Sequence, residues 1–145
     1  MKRFSYILAL GFLVAITALA GGKPRKSAKK YPVIHFERTT VNVGTFSQDE
    51  PVQKATFKFT NVGEGKLVIN YVHTSCGCTA ADYTKDIISP GGTGYIWVTY
   101  DGTGKMPGPF VKHIQVFTNC KQEETRIVLR GEMSSLPKEF NQKKK

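Results

Sequence analysis

Cysteine and tryptophan are scarce in this 145-residue chain, which has three of the first and one of the second. Three cysteines allow at most one internal disulfide at a time, through three pairings, and leave one thiol over. Catalytic signatures are absent as well. The sequence has no His-Glu-x-x-His zinc motif and no Gly-x-Ser-x-Gly elbow. Gly91-Gly92-Thr93-Gly94 lacks the lysine and following helix of a phosphate loop and reads as a turn. Asp82, Asp86 and Asp101 are scattered and define no acid–base pair, while His35, in an apolar strand, and His113, between polar neighbours, read as satisfied or solvated imidazoles. The chain is therefore expected not to be an enzyme. It also lacks internal repeats and any convincing helical period, and after its first twenty residues no apolar run is long enough to cross a bilayer.

Those first residues form a secretory signal. Lys2 and Arg3 provide a charged start, Tyr6 to Ile16 an apolar run shorter than the ~20 residues of a spanning helix, and Ala18-Leu19-Ala20 a small-x-small cleavage pattern. An uncleaved anchor is the alternative. No cysteine follows the expected cut after Ala20, so the usual lipid-attachment position is empty. The expected organisation is a signal helix at 1–20, a basic flexible linker at 21–31, one domain at 32–134 and a basic tail at 135–145. The expected location is periplasmic or secreted, with no stable membrane span after cleavage.

The formal net charge of +10 is unevenly placed. Segment 23–30 carries +5 and the tail 138–145 carries +3, whereas residues 31–137 balance at ten positive and ten negative charges. A neutral body without an aromatic-interleaved basic face argues against nucleic acid as a partner. The basic ends read as solvated segments, or as long-range attractors for anionic envelope lipids and polysaccharides.

Period-two alternation recurs between turn residues along the body. In Lys54-Ala55-Thr56-Phe57-Lys58-Phe59-Thr60 the apolar residues share one face and the polar residues the other, as in a half-buried strand. Asn61-Val62-Gly63-Glu64-Gly65 can turn the chain, and Leu67, Ile69 and Tyr71 continue the apolar face in a second strand. Tyr95-Ile96-Trp97-Val98-Thr99-Tyr100 reads as a central strand, followed by a Gly/Pro-rich hairpin loop from Asp101 to Pro109. Strands are also expected near Phe110–Thr118 and Thr125–Arg130, with weaker ones at Val33–Phe36, Val41–Phe46 and Thr79–Tyr83. Trp97 and the phenylalanines are assigned to the core. Seven to eight short strands imply an all-β, two-sheet sandwich, with a small barrel as the alternative.

The run Phe57-x-Phe59-x-Asn61-x-Gly63, Leu67-x-Ile69, Ser75-Cys76-Gly77-Cys78-Thr79, Pro90-Gly91, Gly108, Thr118-Asn119 and Leu129-x-Gly131 resembles the DUF1573 family. The resemblance covers roughly Phe36 to Glu132. It implies an exported bacterial protein, of the kind abundant in Bacteroidetes, with an immunoglobulin-like fold related to ASPM/SPD-2/Hydin domains. It brings no reaction, substrate or partner. Cys120 is not part of the family pattern.

The sulfurs remain open to three readings. In an extended strand Cys76 and Cys78 lie ~6.6 Å apart, near the ~6.8 Å limit for a disulfide, so a direct bond needs a tight turn, which Gly77 permits. Such a small, strained ring is readily reduced and suits a redox-active dithiol. Alternatively, Cys120 bonds Cys76 or Cys78 across the sandwich, stabilising it by ~2–4 kcal/mol. Thirdly, His73, Cys76 and Cys78 offer one imidazole and two thiolates to copper or zinc, although paired Cys-x2-Cys spacing is missing. The leading expectation is a cofactor-free, non-enzymatic module that binds a cell-envelope protein or glycan. The rival is a thiol-based redox or copper/zinc-binding protein.

Overall fold

A computed structural model of the chain describes residues 29–135 and Pro137. The expected signal peptide at 1–20 lies outside these residues, as do most of the basic linker and the basic tail. Among the described residues there is no helix, and none therefore that could cross a membrane. Eight strands follow one another: β1 (Ile34–Phe36), β2 (Thr40–Ser47), β3 (Val52–Asn61), β4 (Ile69–Thr74), β5 (Thr79–Tyr83), β6 (Thr93–Asp101), β7 (Gly108–Thr118) and β8 (Glu124–Ser134).

They form two four-stranded sheets, β1-β3-β6-β5 and β2-β8-β7-β4. This is the immunoglobulin-like arrangement, with the first strand divided: β1 pairs antiparallel with β3, and β2 crosses to pair parallel with β8. The barrel alternative is set aside, because no strand pairing joins the two sheets. The Asp101–Pro109 segment was expected to close a hairpin. It instead carries the chain from one sheet to the other, since β6 pairs with β3 and β5 whereas β7 pairs with β4 and β8.

The core fills the space between the sheets, and alternation selects it. Ala55, Phe57 and Phe59 of β3 meet Ile96, Val98 and Tyr100 of β6, and Ile114, Val116, Ile127 and Leu129 close it from the second sheet. At one end Phe46, Tyr100 and Phe110 form an aromatic cluster, with the Tyr100 and Phe110 rings stacked at 4.1 Å. Gly94 is the small residue that lets β6 pass Phe59. A Cβ there would lie 2.4 Å from the Phe59 ring and 2.7 Å from Ile88. Phe59 has no room to retreat, so Gly94→Ala is expected to destabilise the domain by about 2–3 kcal/mol in denaturant melts.

Two expected faces are corrected. Tyr71 was expected to join Leu67 and Ile69 inside, but the β4–β7 register shifts between Ile69 and Tyr71, and this bulge turns Tyr71 outward against Phe117. Trp97 was assigned to the core and is instead 45% exposed, because its strand neighbours Ile96 and Val98 take the inward positions.

Asn61 is a fully buried polar side chain at the end of β3. Its amide nitrogen donates to the carbonyls of Gly65 (2.8 Å) and Ile88 (3.0 Å), and its oxygen accepts from the backbone N–H groups of Gly63 (3.1 Å) and Val33 (3.3 Å). One side chain thus ties together the segment preceding β1, the turn after β3 and the segment before β6. Gly63 and Gly65 accept this close packing only without side chains, since added Cβ atoms would lie within 2.8 Å of backbone at residues 30–33. The Tyr31 carbonyl is fixed here too, accepting from Glu64 and Gly65 N–H, so the last residue of the expected flexible linker is held by backbone bonds.

Candidate functional site

Two features of the surface carry chemistry beyond packing. The first is the connection between β4 and β5, which are the edge strands of opposite sheets on the same side of the sandwich. The crossover Ser75–Cys78 is a tight turn closed by Thr79 N–H donating to the Cys76 carbonyl at 3.1 Å. The Thr74 hydroxyl donates to the Thr79 carbonyl at 2.8 Å, and Asp101 N–H on β6 donates to the Cys78 carbonyl at 2.8 Å. Cys76 and Cys78 are joined by a disulfide, with Cα atoms 5.3 Å apart. Both are half-buried; Cys78 packs against the core and Cys76 does not. The Thr79 hydroxyl, itself buried, lies 3.5 Å from the Cys76 sulfur and 3.9 Å from that of Cys78.

Gly77 does not have the role expected of it. Its φ lies outside the left-handed region, and a Cβ there would meet no atom within 4 Å. Gly77→Ala is accordingly expected to change stability by no more than about 0.5 kcal/mol and to leave the disulfide formed, checked by thermal melts and thiol counting.

Cys120 is a buried free thiol. It lies two residues beyond Thr118, which pairs with Ile69, whereas Cys76 lies two residues beyond Thr74, which pairs with Ile114. The length of β4, roughly 17 Å at ~3.3 Å per residue, therefore separates the third cysteine from the other two. The cross-sandwich disulfide is not formed, and the topology keeps its ends apart. His73 is exposed on β4 opposite Gln115. Among the described residues no three His, Cys, Asp or Glu side chains are grouped to hold a metal, and the sulfurs of the expected His73, Cys76, Cys78 set are bonded to each other.

A disulfide closing so short a loop contributes little to the fold. The chain-entropy relation gives ~1.6 kcal/mol for a three-residue loop, against about 3 kcal/mol for fifteen residues. The turn is also held by backbone and Thr74 hydrogen bonds that do not involve sulfur.

The second feature is the outer face of the β1-β3-β6-β5 sheet, which the sequence reading missed. Tyr95 and Trp97 project outward from β6, 38% and 45% exposed, with rings stacked at 6.0 Å and 24°. Thr56 and Asp82 stand opposite Trp97 on the two neighbouring strands, and Lys58 stands opposite Tyr95. Charged groups rim the rings. Lys58 pairs with Glu37, which raises the lysine's pKa, and Lys85 pairs with Asp82 at 3.0 Å while its ammonium lies 3.3 Å from the Tyr83 ring centre. The hydrogen bond from Lys85, with the Tyr83 N–H, holds the Asp82 carboxyl below the usual carboxylate range.

The other exposed stack, Tyr71 on Phe117 at 4.3 Å, is a cross-strand pair between β4 and β7, of the sort that stabilises a sheet. The Tyr95–Trp97 stack has no such explanation, because both rings come from one strand and neither faces an aromatic across the sheet.

Comparison with known proteins adds the following. The family described as "Protein of unknown function (DUF1573)" matches residues 34–133. Among curated proteins, none matches. A protein of unknown function from Porphyromonas gingivalis W83 is similar in structure, with TM-score 0.61 and 23% identity, covering 77% of this chain and 51% of that one. The chain thus spans about half the length of that relative. The ASH/PapD-like domain of human CEP192 has TM-score 0.58 and 10% identity, over 91% of this chain and 100% of that one. The periplasmic chaperone SfaE has TM-score 0.53 and 12% identity, over 74% of this chain and 62% of its own. At these identities the likeness is one of fold.

Proposed function

The chain belongs to the DUF1573 family, and on that premise we propose that it is an exported, non-enzymatic binding module of the bacterial cell envelope whose ligand face is the outer surface of the β1-β3-β6-β5 sheet. One observation carries this reading: Trp97, the single tryptophan of the chain, points into solvent from a central strand and is stacked with Tyr95. Folding gains little from an exposed indole there. Binding gains much, since tryptophan and tyrosine dominate the energetics of recognition surfaces.

Polysaccharide is the ligand class that fits best. A pyranose ring presents a C–H face that lies flat on an aromatic ring and hydroxyls at its edge. The Tyr95–Trp97 stack offers such a platform on an open sheet face, and Thr56, Lys58 and Asp82 stand beside it as hydrogen-bonding partners. Export rests on the Lys2–Ala20 signal pattern, and the basic segments 23–30 and 138–145 would add attraction to anionic envelope polymers. Because Asp82 stays ionised below the usual carboxylate range, its pair with Lys85 keeps both charges as solution becomes mildly acidic. Binding is therefore expected to hold from neutral to mildly acidic pH.

The test is co-sedimentation of the purified chain with peptidoglycan sacculi, in parallel with capture of detergent-extracted envelope proteins. Retention on sacculi that is lost on Trp97→Thr is the expected result. A reproducible protein partner in place of glycan would overturn the ligand class, and equal retention of both forms would overturn the site.

A further inference from the structure

The binding reading leaves the Cys76–Cys78 pair unused, and the geometry points to a second activity there: a reversible thiol–disulfide exchange site, with Cys76 as the sulfur that reacts with external thiols and Cys78 as the resolving partner. Three observations converge on it. The bond adds little to the fold, because the turn is held by Thr79 N–H to Cys76 C=O, Thr74 Oγ1–H to Thr79 C=O and Asp101 N–H to Cys78 C=O. Opening the disulfide leaves all three in place. The two sulfurs are unequal, since Cys78 packs against the core while Cys76 does not, and this makes Cys76 the accessible one.

The third observation is the Thr79 hydroxyl. Its side-chain neighbours in the turn are the two sulfurs, at 3.5 and 3.9 Å, and the residue is only 4% exposed. A buried hydroxyl needs a partner, and a disulfide sulfur is a poor acceptor. A thiolate on Cys76 is a far better one, because hydrogen bonds to charged acceptors are the stronger kind. The site is thus preset for the reduced pair as well as the oxidised one.

In the reductive direction an external thiolate attacks the Cys76 sulfur. A mixed disulfide forms there as the Cys76–Cys78 bond breaks, and the electron pair leaves on Cys78, which takes a proton from solvent. A second external thiolate attacks the external sulfur of the mixed disulfide. This releases an external disulfide and a Cys76 thiolate to which Thr79 Oγ1–H donates. Two external thiols are oxidised and the protein disulfide is reduced to a dithiol. In the reverse sequence the Cys76 thiolate attacks an external disulfide and releases one thiol, and Cys78 then displaces the second, so the protein dithiol is oxidised to the disulfide as one external disulfide is reduced to two thiols. Cys120, buried at the far end of β4, takes no part.

The test uses the full chain equilibrated with mixtures of reduced and oxidised glutathione, followed by alkylation and intact-mass analysis. Circular dichroism is recorded on the same samples. The pair is expected to titrate between disulfide and dithiol with the β-sheet spectrum unchanged. Cys78→Ser should accumulate one glutathione on Cys76, and Cys76→Ser should acquire glutathione at least tenfold more slowly. Thr79→Val, which keeps the side-chain volume, should move the pH profile of Cys76 alkylation upward without lowering the melting temperature by more than a few degrees. The inference is overturned if the bond opens only as the fold melts, if both single-cysteine variants react alike, or if Thr79→Val leaves the pH profile in place. None of these readouts depends on glycan binding.

Discussion

Asn61→Ala should lower the unfolding free energy of the domain by about 3–5 kcal/mol, the largest effect expected of any single side-chain truncation described here. The substitution removes four hydrogen bonds at a position with no solvent access. The Gly65 carbonyl loses the Asn61 donor, the Ile88 carbonyl is left with Leu67 N–H alone, and the N–H groups of Val33 and Gly63 lose their acceptor. Each buried backbone group left unpaired costs about 1–3 kcal/mol, and partial rescue by water keeps the sum below the additive limit. Single domains are stable by only about 5–15 kcal/mol, so the variant should sit close to its unfolding threshold. Asn61→Asp is expected to fare no better, because its carboxylate cannot donate to the two carbonyls and is itself buried. Chemical denaturation of both variants checks this. A loss below about 1 kcal/mol would mean that neighbouring groups already satisfy these atoms.

Trp97→Thr should reduce affinity for envelope polysaccharide about 30-fold or more, the effect of losing ~2 kcal/mol at a recognition hot spot. Threonine keeps a good strand former in the centre of β6, so melting behaviour should change little. Tyr95→Thr should act in the same direction and less strongly, since tyrosine offers the smaller ring. Asn61 is thus expected to decide stability without touching ligand, and Trp97 to decide binding without supporting the fold. Isothermal titration against soluble glycan fragments, read beside thermal melts, separates the two roles.

Much of the sandwich was legible because its information is local. Alternation in Lys54–Thr60 marks the two faces of β3 without reference to anything else, and Asn61–Gly65 and Pro90–Gly92 punctuate the strands at either side. What stayed hidden depends on partners distant in sequence. Asn61 reaches Val33 and Ile88, 28 and 27 residues away, so nothing in the local pattern distinguishes it from an ordinary turn asparagine.

Trp97 was misplaced because Tyr95–Val98 is apolar on both faces, and composition alone sends an indole inward. Counting back from Thr99 in steps of two would have placed Trp97 and Tyr95 on the outer face. Tyr71 followed the alternation faithfully in sequence and lost it in space, since a bulge shifts the face by one position without leaving a mark in composition. For the cysteines, spacing left three readings standing. The register of β4 on β7 separates Cys120 from the others, a fact of topology that sequence spacing does not contain.

The most direct measurement of the binding account uses Trp97 itself, the only indole in the chain. Its fluorescence is recorded in the free protein and during titration with soluble peptidoglycan fragments, with iodide as an aqueous quencher. The account predicts long-wavelength, readily quenched emission in the folded free chain. On saturation the emission should move to shorter wavelength and become protected from iodide. Emission already short-wavelength and protected in the free protein would contradict the exposed platform, and unchanged emission while the fragments bind would place recognition elsewhere on the sandwich.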